Sequence, residues 1–168
     1  MKHFFLFMFV MFGFGLSAQC KYVRNEFDPF LKSQVKETKA TLFNGFSERF
    51  NINFIKVGDT LAAKVLFSSA GINSVVVSER QPIIFIMEND SLVTLHPSDI
   101  STGDFKEVGG MNVTMTHVLY GIDQVSAILL RERKIKAFRM YQVGGYKQHD
   151  VSQKNAEKVN ISFQCVLR

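Results

Sequence analysis

The segment Gly121–Val143, GIDQVSAILLRERKIKAFRMYQV, changes its hydrophobic period partway along, and this constrains the fold more than any other stretch. Asp123 stands where an N-cap accepts a free backbone N–H of the first helical turn. Val125, Ile128 and Leu129 then recur at i, i+3, i+4, the spacing of one buried helix face. Arg131, Arg133 and Lys134 follow, where cations complement the negative end of a helix. From Ile135 the period falls to two, so that Phe138 and Met140 share one strand face while Ala137, Arg139 and Tyr141 share the other. Gly144-Gly145 turns the chain back into a strand over Tyr146–Val151. Such a helix, strand and hairpin need a sheet to close against.

The rest of the chain supplies sheet-like text. A short strand from Cys20 to Arg24 precedes a turn at Asp28-Pro29. Ser33–Phe43 reads as a strand with one wet face. Phe50, Ile52 and Phe54 alternate with Asn51 and Asn53, Val57-Gly58-Asp59-Thr60 makes a turn, and Leu61–Phe67 returns as the second arm of a hairpin. Val75–Ser78 and Ile83–Met87 are near-continuous apolar runs expected in central strands, and Glu88–Ser91 turns into Leu92–Leu95. His96–Gly110 is polar, with Pro97, Gly103, Gly109 and Gly110, and predicts a long loop over one end of the sheet. Over Asn112–Tyr120, Val113, Met115 and His117 oppose Thr114, Thr116 and Val118. Ser152 caps a last helix that gathers Ala156, Val159, Phe163 and Val166 on one face. Alternation of Ile161 and Phe163 leaves a terminal strand as the competing reading. The fold class is α+β: a mainly antiparallel sheet curled into a sandwich or open barrel, with helices near the C-terminus.

Lys2 and His3 head an apolar run, Phe4–Phe14, broken only by Gly13. The run is shorter than the about 20 apolar residues a bilayer span needs, but suits a signal peptide, and Leu16-Ser17-Ala18 offers a cleavage site. Residues 1–18 are thus expected to be a signal peptide. Residues 19–168 would form one exported β-rich domain, with no transmembrane helix, able to bury about 70% of its unfolded surface. Localisation follows: periplasm, cell envelope or outside. The formal charge is +5, one unit lower without Lys2. No compact Lys/Arg block with interleaved aromatics occurs, which speaks against nucleic acid as a partner.

Residues that could carry chemistry are few. Cys20 and Cys165 are the two cysteines. In an exported chain they suit an intramolecular disulfide, with an intermolecular bridge or free thiols as alternatives. Lipidation of Cys20 would need a small residue before it, where Gln19 stands. His96, His117 and His149 are not at ligand spacing, and each has a plain structural place: a strand end, a sheet surface and an exposed hairpin arm. Asp99, Asp104 and Glu107 crowd the predicted loop without the spacing of a calcium loop. Ser68 and Ser69 lack the glycines of a nucleophile elbow, and no glycine-rich phosphate loop or Cys-x-x-Cys motif implies a cofactor. Arg131, Arg133, Lys134, Lys136 and Arg139 form a basic set that could contact an anionic lipid, sugar acid or protein. Two functions follow. One is a non-enzymatic secreted or envelope-associated binding module for an envelope protein, glycan or lipid. The other is a hydrolase-like enzyme using His96 or His117 with acids of the 97–110 loop.

The mature start CKYVRNEFD, the basic strand RKIKAFRMY, the glycine hairpin after it and KNAEKV near the end together resemble a family of small exported Bacteroidetes proteins. The resemblance implies an envelope or secreted location and carries over no catalytic residue. It also implies O-glycosylation at Asp followed by Ser or Thr and a methyl-bearing residue. Asp59-Thr60-Leu61 and Asp90-Ser91-Leu92 have that form, which makes Thr60 and Ser91 candidates.

Overall fold

A computed structural model of the chain describes residues 20–71 and 75–168. The expected signal peptide and its cleavage site lie outside the described residues. The chain begins as an antiparallel meander: β1 (Tyr22–Asp28), β2 (Ser33–Asn44), β3 (Glu48–Val57) and β4 (Thr60–Ala70). Turn chemistry sets each reversal. The Asp28 carboxylate accepts the backbone N–H groups of Phe30 at 2.9 Å and Leu31 at 3.1 Å, closing the first turn. Gly58, with φ of 57°, occupies the turn that brings Val57 opposite Thr60. Alternation then buries Phe50, Ile52 and Phe54 of β3 with Ala63, Val65 and Phe67 of β4 on one face.

Next come β5 (Val76–Val77), β6 (Ile83–Met87), β7 (Leu92–Leu95), β8 (Ser101–Thr102), β9 (Asp104–Val108) and β10 (Met111–Ile122), followed by α1 (Gln124–Glu132), β11 (Ile135–Gln142), β12 (Gly145–Asp150) and α2 (Gln153–Leu167). A six-stranded sheet in the order β1-β2-β3-β4-β10-β9 curls into a half-barrel, faced by a four-stranded sheet in the order β12-β11-β6-β7 and accompanied by a two-stranded ribbon of β5 and β8. Phe50 joins the layers, stacked on Phe67 at 4.6 Å and edge-on to Phe138 at 4.9 Å between ring centroids. Helix α2 packs on β2, β3 and β11, with Phe163 edge-on to Phe54 at 4.8 Å. The architecture is thus the expected α+β class, with a largely antiparallel sheet and a helix at the C-terminus. No helix among the described residues is long and apolar enough to cross a membrane.

Several local expectations are corrected. The stretch 96–110 is not a wandering loop, because it holds β8 and β9, and β9 pairs with β10 across Gly109-Gly110. Every residue of β9 is exposed, so it has no buried face to produce alternation, and its strand state rests on the β10 ladder. Val75–Ser78 contributes only the two-residue β5, cut short by a turn in which Gln81 N–H donates to Ser78 O at 2.9 Å. Ile83–Met87, by contrast, is central in its sheet. On β10 the buried face carries Thr114, Thr116, Val118, Tyr120 and Ile122, while His117 is exposed. Parity is set by the apolar C-terminal half, and the threonines follow it inward; Thr114 Oγ1 donates to Gly71 O at 2.9 Å.

Asp123 caps α1 as expected, accepting the Ser126 N–H at 2.7 Å, yet the helix buries Ser126 and Leu130 and leaves Val125 and Ile128 exposed. Its C-terminal carbonyls explain the rotation: Asn160 of α2 donates to Leu130 O, Arg131 O and Arg133 O at 3.2–3.4 Å, which turns the end of α1 toward α2. On β11, Phe138 and Met140 are buried as read, and a bulge between Ile135 and Ala137 brings those two inward as well. The C-terminus is the helix rather than the strand. Ser152 accepts the Asn155 N–H at 3.4 Å, and Ala156, Val159, Phe163 and Val166 are its buried face.

Candidate functional site

The residues singled out from the sequence do not meet in one place. Cys20 and Cys165 lie at disulfide distance, with alpha carbons 5.5 Å apart. This is compatible with an oxidising location. The basic set is dispersed and mostly compensated. Arg131 lies 3.4 Å from Glu132, Lys134 3.3 Å from Glu157 and Lys136 2.9 Å from Asp90. The Asp90 hydrogen bond raises the Lys136 pKa above its ordinary value. Arg139 donates to Gln148 Oε1 and lies over the Tyr146 ring at 4.4 Å, and its hydrogen bond to Tyr141 raises its own pKa. Arg133 ends α1 with its backbone N–H on Leu129 O.

His96 borders an open depression of about 460 Å³ whose lining includes Asp59 and Asp123 but none of Asp99, Asp104 and Glu107; Asp123 is already engaged as a helix cap. His117 stands on the outer face of β10 opposite Leu66. Asp99 accepts the Ile100 N–H at 2.7 Å, while Asp104 and Glu107 are exposed on β9. Among the described residues no three His, Cys, Asp or Glu side chains gather as a metal site. Thr60 is exposed at its turn, whereas the Ser91 hydroxyl donates to Asn89 Oδ1 at 2.7 Å.

A polar, half-open cleft lies instead at the end of the sandwich where the β2-β3 and β11-β12 turns approach each other. Across the two-residue turn of the β11-β12 hairpin, Lys147 pairs with Met140 and His149 with Phe138, and because Met140 and Phe138 face the core, their partners face inward too. His149 is therefore no exposed arm. Its ring stacks on Phe43 at 3.9 Å with an interplanar angle of 22°. Opposite stands Glu48, the first residue of β3, with one carboxylate oxygen 2.5 Å from Lys147 Nζ and the other 3.2 Å from His149 Nε2. The imidazole contact has ion-pair range but not hydrogen-bond alignment, and Nε2 is buried without a hydrogen-bond partner among the described residues. The Glu48 and His149 side chains are each 19% exposed, so the three groups clasp the two sheets in a half-buried setting. Gly45 makes the turn possible, because a Cβ there would sit 2.8 Å from the Phe43 ring that covers His149.

Beside this clasp is a cleft of about 290 Å³ lined by Ser47, Glu48, Phe67, Ser69, Gln142 and Lys147. Gln142 ends β11, and its Oε1 is buried without a hydrogen-bond partner among the described residues. Lys147 keeps N–H donors beyond the one Glu48 takes, and Glu48 keeps lone pairs. Ionic, amide and hydroxyl groups thus meet at one cleft. No serine hydroxyl is hydrogen-bonded to His96, His117 or His149 among the described residues, so none of these imidazoles is paired with a nucleophile. Glu48, Gln142 and Lys147 carry no motif in the sequence. The available signal was hairpin parity, which sends Lys147 and His149 inward once Phe138 and Met140 are taken as core. Comparison with known proteins found no matching family model, no matching curated protein and no matching solved structure.

Proposed function

We propose that the chain is an exported, non-enzymatic binding module that takes a polar ligand, a glycan unit in particular, in the Glu48–Lys147 cleft. One observation carries the reading: among the described residues Gln142 Oε1 is a buried acceptor without a partner, at a cleft whose lining also holds a carboxylate and an ammonium. Leaving such an acceptor unsatisfied costs on the order of 1–3 kcal/mol, a penalty that a ligand donor removes. A sugar hydroxyl donates and accepts at once, so one ring can donate to Gln142 and Glu48 while accepting from Lys147. Support for export comes from the signal-like residues 1–18 and from the cysteine pair, and the Bacteroidetes resemblance agrees with periplasm, envelope or medium as the destination. In such a host Thr60 and Ser91 would carry glycans, Thr60 more readily because its hydroxyl is exposed. Thr60→Ala and Ser91→Ala would then each remove mass beyond the substitution itself.

Saturation-transfer NMR with methyl glucoside, methyl mannoside and N-acetylglucosamine tests the cleft. Transfer from the wild-type protein to at least one sugar is expected, reduced by Glu48→Gln and abolished by Gln142→Leu. The leucine variant should unfold no earlier than wild type, because it removes the unpaired acceptor. Absence of transfer from wild type, or full transfer from both variants, rejects the reading.

A further inference from the structure

Elsewhere on the half-barrel the edge of β2 changes partner. β1 accompanies β2 only as far as the Tyr22–Thr38 pair, yet β2 runs on to Asn44. Along the uncovered stretch α2 takes the place of a strand. Ser162 Oγ donates to Lys39 O at 3.3 Å, Asn155 Nδ2 donates to Leu42 O at 3.4 Å, and Thr38 Oγ1 donates back to Ser162 O at 2.9 Å. Where β1 gives way to α2 a groove of about 380 Å³ opens, with Ala40, Ile161 and Cys165 on its apolar side and Lys21, Lys39 and Lys158 as its charged side chains.

Lys21 precedes β1, Lys39 lies on β2 and Lys158 on α2, and none has an ion pair among the described residues. The neighbouring acids are engaged elsewhere: Glu37 accepts from Asn53 at 2.6 Å and lies 3.6 Å from Lys64, and Glu157 meets Lys134. Three cations around one depression whose described lining holds no carboxylate make a local positive potential over a low-dielectric floor. Lys21 owes its place to the cysteine pair, because Cys20 lies against Cys165 and Tyr22 Oη donates to Cys165 O at 2.9 Å, holding the start of the chain on α2.

We propose that this groove is an anion-binding site, separate from the polar cleft, for a phosphate, sulfate or carboxylate head on a short apolar body, and that the disulfide serves as its positioning element by holding Lys21 at the rim. At about 30 Å³ per water-sized unit the groove holds about a dozen non-hydrogen atoms, the size of hexyl phosphate. The apolar body lies along Ile161 and the disulfide, and the head meets the ammonium groups.

Titration calorimetry of the oxidised protein with hexyl phosphate, inorganic phosphate and hexanol tests the site. Vesicles of phosphatidylglycerol and of phosphatidylcholine separate a lipid headgroup from a free anion. Hexyl phosphate is expected to bind more tightly than inorganic phosphate, and hexanol not at all. Lys21→Gln, Lys39→Gln and Lys158→Gln should each weaken binding about fivefold, as an exposed ion pair allows, while Lys106→Gln on β9 leaves it unchanged. Removing the disulfide by Cys20→Ser with Cys165→Ser should reproduce the loss seen with Lys21→Gln and add nothing to it. Failure of hexyl phosphate to bind the oxidised protein overturns the site, as does equal weakening by Lys106→Gln, which would mean diffuse charge. Loss with Lys21→Gln but not with the serine pair overturns the positioning role. Sugar binding at the Glu48 cleft should be untouched by all three lysine variants, which keeps the fate of the two sites separate.

Discussion

Two single residues hold turns in ways that can be measured. Asp28 accepts the Leu31 and Phe30 N–H groups and the Arg24 guanidinium, which together hold its carboxyl below the ordinary value of 3.8. A group whose folded pKa is depressed contributes stability that is fully present above the unfolded pKa and is lost as pH falls through the folded one. Asp28→Asn should therefore lower the urea midpoint at neutral pH, and the gap from wild type should close below about pH 4. A gap that persists at pH 2 would assign the effect to the turn's shape rather than its charge. Gly45 matters through space: a methyl group 2.8 Å from the Phe43 ring must displace it from His149. Gly45→Ala is expected to cost about 1–3 kcal/mol, and the His149 ring protons should lose the upfield shift of a stacked phenyl neighbour. An unmoved His149 spectrum would show that the turn yields instead.

At the scale of elements, α1 shows how a short helix takes its orientation from its neighbours. Its sequence has an apolar stripe at Val125, Ile128 and Leu129, but Val125 is 70% exposed and Leu130 is buried. The Asp123 cap fixes where the helix starts, and the Asn160 amide gathers the carbonyls at its end; those two anchors outweigh a small difference in buried area. Leu130→Ala should then destabilise by about 2–5 kcal/mol, whereas Val125→Lys should stay within about 0.5 kcal/mol of wild type by chemical denaturation. The reverse order would restore the face read from periodicity. β9 is the complementary case, a strand that exists because β10 offers it a ladder. Among the described strands β9 pairs with β10 alone, at the edge of the sheet, with Phe105 and Val108 exposed.

For the whole molecule, the cysteine pair joins the first described residue to the last helix across a sequence separation of 145. The chain-entropy model credits a loop of that length with about 5 kcal/mol, so the Cys20→Ser, Cys165→Ser protein should unfold at markedly lower urea; a midpoint within experimental error of wild type would mean that packing of α2 on β2 alone closes the molecule. Much of this architecture was legible from local chemistry. The hairpin at Gly58-Asp59, the second hairpin read at Gly144-Gly145 and found one residue earlier at Val143-Gly144, the Asp123 and Ser152 caps, the α2 core face and the paired cysteines all follow from period, turn residues and redox context, each of which acts over a few neighbours or needs only two partners. The Glu48–Lys147–His149 clasp, the unpaired Gln142 oxygen and the lysine groove were not legible. Their residues carry no motif, and they converge only because two sheets face each other and a helix replaces a missing strand. Periodicity records that one face of an element is buried; which distant element buries it, and so which polar groups meet at the seam, is decided when the layers pack.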